Sequence, residues 1–303
     1  GMIKKKMVHN PLKVFKNAFS SERLRLPNKP LNETSLPYPL ASDVSVEDYN
    51  FFIESGEISG YKFEYNNGTV YIVDMCSNEH EAINEVLRDS FRAHCPTTTY
   101  AIYNAPIQIR GQPLHESPAG DRTRIAPDLA VFPHPNYVPD PPVPHPGPPP
   151  SDTRGNPYAR IICEIAVAQT SSSLNVKCRL WKLNSYVRSV LGIKLYNIMN
   201  TRNNPQRKRD RAMKATLWRQ GVPKQKWKFG TVNKDGSPTG PTGCHGPNDP
   251  NYVITIPVSN VFYDPAIPEI GYTPLPPPAT LMTAVFEIDL YEVQQMVLLS
   301  QAK

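Results

Sequence analysis

The sequence predicts an α/β domain, a central sheet with one helix on each side. Three observations lead there. A strand hairpin runs directly into a helical pattern at residues 62–94; two strand-forming runs, 125–132 and 159–167, are each interrupted by one acid; and a second helical pattern leads into another strand at 171–200. With 303 residues, 39% of them hydrophobic, the chain can build a sizeable core.

Residues 1–48 read as a basic, then Pro/Ser/Asn-rich arm with little periodicity, expected to be extended and separate from a domain at 49–303. KFEYNNGTVYIVDM (62–75) places alternating strand residues on both sides of Asn66-Asn67-Gly68, a tight hairpin signal. NEHEAINEVLRDSFRAH (78–94) follows as a helix capped by Ser77 or Asn78. At ~100° per residue, Glu79, His80, Ile83, Val86, Leu87, Ser90, Phe91 and His94 share its buried face. TTTYAIYN and APIQIR (97–110) give one or two strands, and the Asp128 strand comes next. After a Pro-rich loop at 133–157 lies the Glu164 strand. SSSLNVKCRLWKLNSYVRSVLG (171–192) reads as one helix, capped by serines and stopped by Gly192. Val176, Leu180, Leu183, Val187, Val190 and Leu191 form its expected core stripe, with Arg179, Lys182 and Tyr186 on one flank and Lys177 on the other. A strand at 193–200, a basic insertion at 201–250 with strands near 216–218 and 226–232, a strand at 251–258 and a last helix beginning near Asp289 complete the order.

The formal charge of +6 hides an asymmetry. Residues 1–29 carry a net +7 and residues 201–228 a net +9, so the remainder is acidic at −10. That pattern suits a polyanionic partner, although a charge run also serves as a solvated face. Proline, at 34 residues, concentrates in 133–150 and 271–280 as polyproline-like connections. Five cysteines with no CxxC pair argue against a disulfide framework or a cysteine-based zinc site, and favour a reducing compartment. The first residues lack the apolar stretch of a secretory signal, and no run of about 18 apolar residues exists. An intracellular location, cytoplasm or nucleus, with no membrane association is expected. HEAIN (80–84) lacks the second histidine of HExxH, and Cys244-His245 has no partner ligands nearby in sequence. Neither GxxxxGK[ST] nor GxSxG occurs.

The two acids carry the functional argument. Burying an ionised carboxylate without a partner costs several kcal/mol, so IAPDLAVF and ARIICEIAV need a counter-charge. Carboxylates on neighbouring strands suit a hard divalent cation, Mg²⁺ or alternatively Mn²⁺. The plainer readings are a turn role for Asp128 and a salt bridge from Glu164 to Arg160 or Arg179.

Pro127-Asp128, Glu164 at a strand end, and a helix with Lys182 followed by Tyr186 resemble the PD-(D/E)XK nuclease superfamily. NNGTVYIVDMCSNEHE with His80, and the closing FEIDLYEVQQ (286–295), are similar to its restriction-endonuclease family. The resemblance implies a restriction-endonuclease-like fold, a mixed central sheet flanked by helices, and metal-dependent hydrolysis of phosphodiesters, in DNA first of all. It implies metal ligation by Asp128 and Glu164, with Glu79 or His80 completing or supporting the ligand set. Two residues after the glutamate, where the superfamily has lysine, this chain has Ala166. The narrower family moves the lysine into the following helix, which implies Lys182, with Lys177 in reserve. Arg207, Lys208, Arg209, Arg211, Lys226, Trp218 and Trp227 then become the nucleic-acid contacts, basic groups for phosphates and rings for bases. A homodimer is open, as is an inactive descendant that binds nucleic acid or a protein. A proline-rich interaction protein is a third reading.

Overall fold

The computed structural model describes residues 24–55, 60–95, 98–139 and 151–302. Most of the N-terminal basic arm and the centre of the Pro-rich loop lie outside the described residues.

The expected arm ends earlier than residue 48. Leu24 is buried with Val44, Tyr49, Phe52, Ile53 and Val70, and β1 (Tyr38–Ala41) is a paired strand. α1 (Val46–Glu54) is capped by Ser45, whose hydroxyl accepts from the Asp48 N–H. β2 (Tyr61–Asn66) and β3 (Thr69–Met75) form the expected hairpin. Its turn needs two left-handed residues, supplied by Asn67 at φ 47° and Gly68 at φ 83°. β1, β3 and β2 make a small antiparallel sheet in that order.

α2 (Asn78–Arg92) starts at its Ser77 cap and buries His80, Ala82, Ile83, Val86, Leu87 and Phe91. Where one or two strands are expected near residue 100, the described residues form one, β4 (Ile107–Gly111), and 102–104 form a short 3₁₀ turn. β5 (His115–Glu116) pairs with β6 (Arg124–Ile125), and β7 (Leu129–Pro133), β8 (Ile161–Ala166) and α3 (Ser171–Lys182) follow. β9 (Ser189–Leu195), β10 (Ala212–Arg219) and β11 (Val222–Gly230) come next. β12 (Val253–Pro257) pairs with β13 (Val285–Asp289), and Asp289 caps α4 (Leu290–Leu299).

The central sheet has six strands in the order β11-β10-β9-β8-β7-β4, mixed because only β8 and β9 run parallel. A parallel pair needs a crossover, and α3 provides it. Alternation along β8 divides the core. Ile161, Cys163 and Ile165 join α2 and α4 on one face; Ile162 and Ala166 join α3 on the other. The expected mixed α/β arrangement, helices on both sides, is therefore present. The basic insertion is part of this sheet: its residues build β10 and β11.

α3 departs most from expectation. It ends at Lys182, and residues 189–192, read as its last turn, begin β9. The side chain of Asn184 accepts from the Tyr186 N–H and closes the turn between them. Removing Val187, Val190 and Leu191 from the helix changes the apolar phase. Leu174, Cys178 and Trp181 are buried, whereas Val176 and Leu183 are more than half exposed. Gly192 is a close-packing position in a strand: a Cβ there would lie 3.1 Å from Cys178 Sγ and 3.2 Å from the Trp218 ring. Among the described residues, no helix is long and apolar enough to cross a membrane.

Candidate active site

β7 and β8 are antiparallel, with Leu129 opposite Cys163 and Ala130 opposite Ile162. One more step along this register brings Asp128 across from Glu164. Both carboxylates are buried, and one lysine on β2, from the small sheet, reaches both of them. Lys62 Nζ lies 2.8 Å from Asp128 Oδ2 and 3.5 Å from Glu164 Oε2. It also donates to the Ile165 carbonyl at 2.6 Å and to Gln169 Oε1 at 3.3 Å. Four oxygens thus converge on one ammonium, which supplies the counter-charge from within the chain.

The rest of the cluster fixes each carboxylate. Asp128 Oδ2 accepts from the Ile165 N–H at 2.7 Å, and Oδ1 lies 3.1 Å from His80 Nε2. Glu164 Oε1 accepts from the Trp181 indole N–H at 2.7 Å and lies 3.1 Å from Lys177 Nζ, whose amine also donates to the Ala126 carbonyl. Glu164 Oε2 receives no hydrogen bond among the described residues; its nearest cation is Lys62. A third buried acid, Asp74 at the end of β3, accepts from the N–H groups of Val167 and Ala168 and ties the small sheet to the end of β8.

These contacts move the titrations in opposite directions. Burial alone would raise the Asp128 carboxyl, but Lys62 and His80 outweigh it and hold the group well below the usual range. Burial alone would lower the Lys62 amine, and Asp128 and Glu164 hold it above its usual value. Glu164 is pushed up by burial and by the Asp128 charge, against the pull of Lys177 and Lys62. For His80 the Asp128 contact overcomes burial and raises the imidazole.

Of the residues expected here, Asp128, Glu164 and His80 come together. Lys182 does not: it makes no ion pair with either carboxylate, because the helix phase that brings Trp181 inward turns position 182 away and position 177 toward Glu164. Glu79 pairs with Arg211 instead. Arg160 is buried elsewhere, donating to the Tyr263 carbonyl and covering the Tyr186 ring at 4.8 Å; Arg179 is exposed. Lys62, Asp74 and Gln169 were not anticipated. Asp74 carries the signal that marked Asp128 and Glu164, one acid inside a strand run (VYIVDM). Lys62 carries none, since a polar residue alternating along a hairpin also describes a solvated face.

The basic segment is sorted by strand parity. Arg211 is buried, donating to the Tyr196 carbonyl. Trp218 is 5% exposed in the core under α3, which closes its ring to a base, and Trp227 packs half-buried on the opposite face. Arg207 is exposed; Lys208 and Arg209 are half-buried. Lys224, Lys226 and Lys228 project from the edge strand β11. Lys228 stands opposite Lys214, and Lys214 opposite Lys194, so three lysines align across β9, β10 and β11, about 4.8 Å apart per strand. Burial, and then Lys226, Lys228, Lys224 and Lys234, push the Lys214 amine down. Lys194 donates to the carbonyls of Val167 and Gln169, and burial pushes its amine down to about 8. Its end of the row therefore meets the rim of the carboxylate cluster.

No protein-family model and no curated protein sequence matches the chain.

Proposed function

We propose that the protein is a metal-dependent nuclease of restriction-endonuclease-like fold that hydrolyses phosphodiester bonds, with DNA as the first substrate to test. One observation carries this reading: Glu164 Oε2, buried and without a hydrogen bond, faces the same point as Asp128 Oδ2 and the Ile165 carbonyl. A buried unsatisfied carboxylate oxygen costs about 1–3 kcal/mol or more. The donors there are all oxygen and include two carboxylates, the ligand chemistry of Mg²⁺ or Mn²⁺.

Asp128, Glu164 and the Ile165 carbonyl would hold the ion. Bound there, Mg²⁺ supplies Lewis-acid polarisation of a phosphoryl oxygen and neutralises developing charge. Lys62 already bridges these oxygens, so it would share them with a bound ion, and its ammonium would add a second positive charge beside a phosphoryl group. Lys177 keeps Glu164 Oε1 oriented, assisted by Trp181. His80 holds Asp128 Oδ1 and is positioned to exchange a proton with it. The aligned lysines of β9–β11 lead phosphates toward this end of the sheet; edge protection by lysine accounts for β11, but not for Lys214 on an interior strand.

The test is cleavage of plasmid DNA in Mg²⁺ by the full chain and by Asp128→Asn and Glu164→Gln, near-isosteric changes whose folding circular dichroism verifies. Wild-type cleavage with a loss of at least a hundredfold in either variant supports the proposal; cleavage unchanged in both overturns it. A second reading, a non-catalytic protein on this scaffold that binds nucleic acid or a protein, is favoured by Lys62 itself, which already completes the oxygen cage, and by Ala166. Calorimetry separates the two: Mg²⁺ uptake lost in Glu164→Gln supports the nuclease, and no Mg²⁺ uptake with salt-dependent DNA binding supports the binding module.

A further inference from the structure

Beside the carboxylate pair lies a second constellation of different chemistry. Cys76 immediately follows β3, and His80 and Glu81 occupy the first turn of α2. Ser77, between them, caps the helix by accepting from the His80 N–H, which fixes that turn against the strand end. One ligand atom from each of Cys76, His80 and Glu81 lies within 4.8 Å of the others. His80 Nδ1 is 3.2 Å from Glu81 Oε1. That spacing suits a hydrogen bond, and it equally suits two corners of a tetrahedral zinc ion, whose nitrogen and oxygen ligands at about 2.0–2.1 Å stand about 3.3 Å apart.

Two further features separate these alternatives. A thiol completes the group, and a sulfur ligand selects a borderline or soft ion over Mg²⁺. The remaining imidazole nitrogen, Nε2, faces the buried Asp128 carboxylate at 3.1 Å. A carboxylate behind a histidine, fixing its tautomer and ring plane, is the usual support of a metal-bound imidazole. Asp128 is itself anchored by Lys62 and the Ile165 N–H, so the support is rigid.

We propose that Cys76, His80 and Glu81 form a zinc-class site with three protein ligands and an open position. A thiolate and a carboxylate balance the divalent charge while the imidazole stays neutral. Two of the three ligands, Cys76 and His80, also line a cleft of about 320 Å³ together with Asp74, Lys62, Asp128 and Lys177, room for a water or an anionic ligand oxygen to complete the set. The site shares His80 and Asp128 with the nuclease reading but takes its own ligands from Cys76 and Glu81, and uses neither Glu164 nor the Ile165 carbonyl.

Cobalt(II) added to the metal-free full chain tests it. The other four cysteines are buried, so a thiolate-to-cobalt charge-transfer band reports on Cys76. The expected result is a band that saturates at one equivalent, is displaced by zinc, disappears in Cys76→Ser and persists in Glu164→Gln. Asp128→Asn, which removes the support behind His80, should weaken affinity about 10–100-fold. Absence of the band, or its survival in Cys76→Ser, overturns the site. The two proposals fail separately: a band without Mg²⁺-dependent cleavage sinks the nuclease alone, and cleavage without a band sinks the zinc site alone.

Discussion

The carboxylate cluster and the lysine row of β9–β11 both bring like charges together, but they resolve the repulsion differently. In the cluster, Asp128 and Glu164 are buried, and Lys62 reaches them from a strand over a hundred residues before Ile165. In the row, Lys194, Lys214 and Lys228 follow one another across three strands, and β11 turns further lysines to water. Burial makes an uncompensated charge intolerable, so the first region had to bring opposite charges in with it. At the water-facing end of the row, on β11, water and salt screen the repulsion, while burial, joined by nearby like charges, lowers the amines of half-buried Lys214 and Lys194, so the second region keeps its charges without bringing in opposite ones.

The sharpest way to break this contrast is Lys62→Met. Removing the shared ammonium leaves two buried carboxylates facing each other and should destabilise the fold by about 3–5 kcal/mol in chelator, read by denaturant unfolding. If the oxygen cage accepts a divalent ion, Mg²⁺ should restore much of that loss in the variant and little in the wild type. A cost below about 1 kcal/mol would mean that Lys62 is not what balances the pair.

A smaller effect probes burial on the same side of the sheet. His115 is fully buried, stacked on Phe132 and edge-on to Trp181, the donor to Glu164, and burial pushes its imidazole down to about 4. The folded state therefore favours neutral His115. Its contribution is complete above the ordinary value near 6.5 and is lost as pH falls from there toward 4, about 3 kcal/mol in all. Unfolding free energies measured across that window should show this slope, and His115→Phe should remove it. His80, raised by Asp128, has the opposite sign, losing its contribution as pH rises through its folded value, so the difference between wild type and variant isolates His115. Equal slopes in the two proteins would contradict a neutral buried His115.

The smallest change is expected in the row. Lys228→Ala relieves a directly opposed like-charge pair and should stabilise the fold by a few tenths of a kcal/mol at low salt, with the gain vanishing in 1 M salt. If the row grips phosphates, the salt slope of DNA binding should fall by about one in the same variant. Destabilisation at low salt, or an unchanged slope, would show that Lys228 serves only the sheet edge.

The helices show where the sequence was legible. α2 has a Ser77 cap and a clean apolar period, and its buried face, His80 included, could be read directly. Val187, Val190 and Leu191 extend a plausible helical stripe, so the sequence predicts too long a helix at α3, whereas the choice of Lys182 over Lys177 comes from the family resemblance. Nothing within 171–192 marks where the chain leaves the helix except the Asn184-Ser185 pair, a weak turn signal. Trp218 and Trp227 looked like stacking surfaces among basic residues, but in a strand alternate positions face opposite sides, and both rings turn toward core.

By itself the sequence determined the mixed α/β class, the Asn67-Gly68 hairpin, the α2 face, the start of the last helix near Asp289 and the two interrupted strands that singled out Asp128 and Glu164. These are local properties, set by side-chain period, capping and turn geometry within a few residues. Only the tertiary structure decided what balances those acids, because the partner lysines come from a different sheet and from a helix whose phase depends on packing. Charge pairing acts through space across residues far apart in the chain, and no local pattern records which distant amine will arrive.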